Sequence, residues 1–158
     1  MSPVKTLTPD QALVRISRYC AYQERSHGEV RDKLYSFGLK SDEVEALLSR
    51  MITEGFLNEE RFAKAFAGGK FRLQKWGRNK IIHELEARHI SSRCIRSGLA
   101  EIDNGTYRKT LVSLLRKKFQ NLNETNLFRK REKTARFAIG KGYEPQLVWE
   151  VVQEIFQG

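Results

Sequence analysis

The sequence predicts an all-α fold of three tandem three-helix units, and three observations predict it. Apolar residues recur at three- and four-residue spacings along nearly the whole chain, the mark of amphipathic helices. Alternating strand-like stretches and hairpin turn signals are missing. One apolar pattern also repeats. Leu34, Leu39, Val44 and Leu48 recur as Leu85, Ile90, Ile95 and Leu99 at a constant shift of 51 residues, and a further shift of 53 reaches Ala138, Tyr143, Val148 and Val152. The units are placed at residues 1–56, 57–103 and 104–158. A unit of about 50 residues buries little surface alone, so neighbouring units are expected to share packing in an elongated, curved, helix-turn-helix-like array.

Local signals place the elements. Thr8-Pro9-Asp10-Gln11 reads as an N-cap, a proline at the first helical position and a capping-box partner, opening a helix from Pro9 to about Gln23. Ser26-His27-Gly28-Glu29 is a second capping box, followed by Val30, Leu34 and Phe37 on one face, with Gly38 placed to end that helix in a left-handed turn. Ser41 is expected to cap the third helix, through Val44, Leu47, Leu48, Met51 and Ile52, and Gly55 to stop it. Asn58 restarts the grammar as an N-cap before Glu59 and Glu60, which suit the positive end of a helix dipole. The fourth helix carries Phe62, Ala65 and Phe66; Trp76-Gly77 opens the fifth, with Ile81 and Leu85; the sixth carries Ile95, Leu99 and Ile102. In the third unit the opening helix turns Leu111, Leu114, Leu115 and Phe119 to its apolar side.

Charge points to the class of partner. The chain has 29 Lys and Arg against 19 Asp and Glu, a formal net charge of +10, which favours a polyanion or an acidic protein surface. The excess is concentrated. Between Asn104 and Tyr143 stand eleven cations, Arg108, Lys109, Arg116, Lys117, Lys118, Arg129, Lys130, Arg131, Lys133, Arg136 and Lys141, against only Glu124 and Glu132. A second cluster, Lys70, Arg72, Lys75, Arg78 and Lys80, is interleaved with Phe71 and Trp76, aromatics that either stack on exposed bases or pack the joints between units. Arg31 and Lys33 lie at a place in the first unit comparable to Arg78 and Lys80 in the second, so the four could form a discontinuous basic stripe. For Arg61 an ion pair with Glu84 or another nearby carboxylate is the simpler expectation.

Other chemistry is thinly represented. Cys20 and Cys94 sit inside apolar patterns without metal-like spacing and read as small core residues. His27, His83 and His89 are scattered over two units and read as surface or turn residues. No glycine-rich phosphate loop, nucleophile elbow, HExxH motif or plausible carboxylate pair emerges, so neither an enzyme nor a cofactor or metal site is expected. No apolar run reaches the ~18 residues of a membrane span, and a cytoplasmic monomer is the default expectation.

Particular residues resemble the RecX family of recombinase regulators. Gly55-Phe56-Leu57-Asn58-Glu59-Glu60-Arg61-Phe62-Ala63 is similar to that family's central signature, with Glu where the family often has Asp. Arg25-Ser26-His27-Gly28-Glu29-Val30-Arg31-Asp32-Lys33-Leu34 resembles its R-S-x-x-E-L-R-x-K-L segment, with Val30 for the usual leucine, and Gly77-Arg78-Asn79-Lys80-Ile81-Ile82-His83-Glu84-Leu85 its G-x-x-x-I-x-x-E-L segment. The likeness is by motif over about residues 10–100 and by pattern beyond. The resemblance implies a regulator in DNA repair, recombination and the SOS response. Such a protein would enter the groove of a RecA-type recombinase filament on single-stranded DNA and dampen ATPase and strand exchange.

Two other classes remain open. Three-helix units also suit a helix-turn-helix transcriptional regulator, although the helices that would read bases open with Ser41-Asp42-Glu43, Ser91-Ser92-Arg93 and Glu144-Pro145-Gln146, two of them acidic. A protein-only scaffold would direct the same cations at an acidic surface.

Overall fold

A computed structural model of the chain describes residues 6–157. Among them the chain forms nine α-helices and no strand: α1 (Pro9–Tyr22), α2 (His27–Ser36), α3 (Ser41–Thr53), α4 (Glu59–Gln74), α5 (Arg78–Ala87), α6 (Ser92–Leu99), α7 (Asn104–Asn121), α8 (Leu127–Gly140) and α9 (Pro145–Ile155). Both capping boxes form. The Thr8 hydroxyl accepts from the Gln11 N–H and the Gln11 side-chain Oε1 accepts from the Thr8 N–H, and Ser26 and Glu29 do the same for α2. Asn58 accepts from the Arg61 N–H at 2.8 Å. The third helix is capped one residue earlier than the sequence suggests. Ser41 is its first helical residue, because the Glu43 carboxylate accepts the Lys40 N–H at 3.0 Å and so supplies the missing cap.

The repeat has a backbone signature. The second residue after each middle helix has positive φ, at Gly38 (84°), His89 (60°) and Gly142 (104°), positions related by the same shifts of 51 and 53 that align the apolar residues. A buried residue follows each of them: Leu39, Ile90 and Tyr143. The Ile90 and Tyr143 N–H groups reach back to Leu85 O and Ala138 O at 3.1 and 3.2 Å. His89 holds this left-handed turn without a glycine, at a cost on the order of 1 kcal/mol. Cys20 and Cys94 are free, buried thiols.

The units are not joined alike. One core, from Leu7 through Ile16, Leu34, Val44 and Met51 to Leu57, belongs to α1, α2, α3 and their flanks. A second core runs without a break from Phe62 on α4 to Val152 on α9 and so serves the last six helices together. Shared packing, expected between every pair of neighbours, is therefore continuous only across the α4–α6 and α7–α9 units. Between the first two units the link is polar: Arg61 forms an ion pair with Glu24 in the turn after α1, and its Nη2 donates to the carbonyls of Gly55 and Phe56 at 3.0 and 3.3 Å. The suggested partner Glu84 pairs with Arg88 instead. Total accessible surface is 9988 Å², about a fifth more than the ~8200 Å² of a compact protein of 18.4 kDa, in keeping with an elongated array.

At the other joint, aromatic rings do the joining. Phe71 meets Tyr107 at 5.7 Å between centroids, and Tyr107 stacks on Tyr143 at 5.0 Å. The Tyr143 hydroxyl donates to Lys75 O at 3.0 Å, and the Tyr107 hydroxyl donates to Glu144 while accepting the Arg78 N–H. Two turns also touch backbone to backbone. The Gly77 N–H donates to Lys141 O and the Asn79 N–H to Gly142 O, both at 2.8 Å. A Cβ on Gly77 would overlap the Gly142 carbonyl, and one on Gly142 would overlap Lys80.

Candidate nucleic-acid and protein interface

The fold sorts the candidate cations into two groups. Four are held by carboxylates of the same chain. Arg31 grips Glu45 with Nε and Nη2 at 2.8 and 3.3 Å, and the pair draws the Glu45 carboxyl below its ordinary range. Arg78 is half-buried at the aromatic joint, 3.0 Å from Glu144, 2.6 Å from Asn104 Oδ1, with its guanidinium 3.9 Å from the centre of the Tyr107 ring. Arg108 pairs with Glu154, and Lys133 with Glu124 at 2.8 Å. Arg78, half-buried and held by three groups, is the poorest anchor for a phosphate, whereas the more exposed Arg31, Arg108 and Lys133 pairs each cost about 1 kcal/mol or less to exchange.

The other candidates, Lys33, Lys70, Arg72, Lys75, Lys80, Lys109, Arg116, Lys117, Arg129, Lys130 and Arg131, have no carboxylate within 4 Å among the described residues. Around the end of α4 they flank one ring. Lys70 and Lys80 place their ammonium groups 4.8 and 4.6 Å from the centre of half-buried Trp76, whose edge meets Phe66. Phe71 is buried at the joint, whereas Trp76 is half-buried against the same core and has both lysines over its ring. Lys75, in a left-handed conformation at the α4 C-cap, shares a shallow depression of about 240 Å³ with Lys109, Thr106 and Ser113 of α7. Cations far apart in sequence thus meet across the second joint. Along the third unit, exposed Arg116 and Lys117 follow on α7, and Lys130 of α8 lies 4.3 Å from the Phe119 ring.

Beside this basic surface lies an apolar one. Phe128, Trp149, Val152 and Phe156 wall a groove of about 420 Å³ between α8 and α9. Phe128 is 75% and Trp149 41% exposed. Arg131 reaches into the groove, and its Nε is buried without an acceptor among the described residues. An exposed tryptophan, a phenylalanine and an arginine together have the composition of a protein-binding hot spot. None of these aromatics lies in a motif, but Trp149 breaks the apolar stripe of Val148, Val151 and Val152 by standing on the outer side of α9, which is the signal in the sequence.

Among the described residues no group of three or more His, Cys, Asp or Glu could hold a metal ion, and no helix is long and apolar enough to cross a membrane.

Comparison with known proteins agrees with this geometry. Residues 58–99 match the family model of the second three-helix domain of RecX, and residues 107–152 that of the third, together more than half of the chain. The regulatory protein RecX of Clostridium botulinum (strain Eklund 17B / Type B) is 28% identical over 132 residues, covering 82% of this chain and 61% of the relative. The chain thus spans about three fifths of that relative's length. The regulatory protein RecX of Prosthecochloris aestuarii is 25% identical over 145 residues, covering 92% of this chain and 93% of the relative. In fold, the crystal structure of RecX from Lactobacillus salivarius superposes with a TM-score of 0.82 at 19% identity, covering 93% of this chain and 96% of that one.

Proposed function

Because the chain belongs to the RecX family, we propose that it is a non-enzymatic regulator which docks on a RecA-type recombinase filament formed on single-stranded DNA. There it damps the recombinase's ATPase and strand exchange, acting in the cytoplasm in DNA repair and recombination. One observation carries this reading: carboxylate-free cations on α4, α5 and α7 lie on both sides of the second joint, with Lys75 and Lys109 lining one depression. Phosphates spaced along a strand suit such a surface, and the neighbouring α8–α9 groove offers a protein partner an apolar anchor point. In the third unit Arg129, Lys130 and Arg131 bring the two kinds of contact together.

The test is an inhibition assay. Sub-stoichiometric protein is expected to lower the DNA-dependent ATPase of the recombinase. Charge reversal at Arg129, Lys130 and Arg131 is expected to weaken that inhibition about tenfold or more while circular dichroism stays unchanged. Equal inhibition by the variant would remove the third unit from the binding face. Duplex DNA bound as tightly as the filament would instead favour the transcriptional-regulator reading.

A further inference from the structure

The first unit is charge-neutral as a whole, with eight Lys and Arg against eight Asp and Glu over residues 1–56, yet its charges are segregated. Asp42, Glu43 and Glu45 gather on α3, whereas Arg15, Arg18 and Lys33 stand on α1 and α2 with no carboxylate within 4 Å among the described residues. The acids nearest in sequence are largely occupied: Glu24 holds Arg61, and Glu29 closes the α2 capping box, leaving Asp10 and Asp32. Arg15, Arg18, Tyr19 and Tyr22 recur at spacings of three, one and three residues, so they share one flank of α1, beside the buried stripe of Ala12, Ile16 and Cys20.

This flank is built rather than merely basic. The Arg25 guanidinium lies 3.8 Å from the centre of the Tyr19 ring, and its Nε–H donates to Tyr19 O at 3.1 Å. Its side chain is only 12% exposed, so it braces the ring and is not free to bind. Against that support Tyr22 stands 81% exposed, which the first unit's core does not require. Arg15, Arg18, Tyr22 and Lys33 rim an open depression of about 440 Å³. An unburied ring beside three free cations matches the two features a single-stranded nucleic acid presents together, a base face and a phosphate. An acidic protein surface would be mimicked by polyglutamate, whereas a single-stranded nucleic acid also offers an unpaired base for the ring to stack on.

We propose that this α1–α2 face is a second contact for single-stranded nucleic acid, in which Tyr22 stacks on an unpaired base while Arg15, Arg18 and Lys33 meet the flanking phosphates. The proposal rests on the filament reading above and adds a base-stacking contact in the unit that net charge alone would leave out.

The whole chain is titrated with oligo(dT), with an abasic deoxyribose-phosphate strand of equal length and with polyglutamate. Tyr22→Ala is expected to weaken oligo(dT) binding about tenfold and to leave the abasic strand unaffected. Arg15→Gln with Arg18→Gln is expected to weaken both strands and to reduce the log-log salt slope by about 1.4. Unchanged melting temperatures are expected for these exposed substitutions. Oligo(dT) binding by both variants equal to that of the unaltered protein would overturn the proposal, as would an equal loss for polyglutamate and oligo(dT) in the arginine variant with no effect of Tyr22→Ala. If the unaltered protein fails to bind the recombinase filament at all, the filament reading fails. If it binds and only these variants are silent, this face alone is excluded.

Discussion

The two joints between units use the same repeat to opposite effect. Between the second and third units the neighbours exchange rings, main-chain hydrogen bonds and a half-buried arginine, and a single core crosses the boundary. Between the first and second units Arg61 clasps Glu24, and a groove of about 430 Å³ lined by Gln23, Glu29, Phe66 and Lys70 stays open beside the clasp. A repeat thus fixes how each unit folds, while a handful of residues at its ends decides whether two units behave as one body. Here the last six helices form one packed body that carries the basic surface, and the first unit is attached to it.

The largest effect should come from breaking the packed joint. Tyr143→Ala removes a fully buried ring and the hydroxyl that holds Lys75 O, and is expected to destabilise the α4–α9 body by about 3–5 kcal/mol in urea unfolding. The first unit's transition should stay where it was. Coincident loss of both would mean that the cores are thermodynamically one.

Alkali should act at the same joint. Burial pushes the Tyr107 and Tyr143 phenols far above their ordinary range, so only the unfolded chain can release these protons as pH rises. Stability from this source is complete below about pH 10, the ordinary phenol value, and is lost progressively above it. Melting temperature measured at pH 9 and pH 11 should fall, and Tyr107→Phe with Tyr143→Phe should flatten the fall.

The smallest stability effect belongs to the clasp. Arg61→Ala removes a partly exposed ion pair and the donations to the Gly55 and Phe56 carbonyls, so it should lower stability by about 1–2 kcal/mol. Small-angle scattering should nevertheless report a broader range of molecular dimensions for this variant. An unchanged profile would mean that the short linker, and not the clasp, orients the first unit.

Much of the fold was legible because its causes are local. Capping boxes at Thr8 and Ser26, the asparagine cap at 58 and the glycine turns at 38 and 55 act within a few residues of themselves. The cap of α3 was misplaced by one residue because Ser41 and Glu43 compete as signals, and the carboxylate prevails. The binding face was less legible. Arg31, Arg78 and Arg108 look as free in sequence as Lys75 or Lys109, but their carboxylates lie 14, 66 and 46 residues away, so only the folded chain separates engaged cations from available ones. The Arg15–Arg18–Tyr22 flank was hidden for another reason: charges of opposite sign elsewhere in its unit cancel the sum.

If free cations on both sides of the packed joint act together on one polyanion, Lys75 and Lys109 are the pair that shows it. The affinity of the unaltered protein and of a Lys75→Gln, Lys109→Gln variant for recombinase-coated single-stranded DNA should be measured across a salt series. Two lost phosphate contacts predict a log-log slope shallower by about 1.4 and weaker binding at low salt. A slope and an affinity that both remain unchanged would mean that the cations flanking this joint do not act together on the strand.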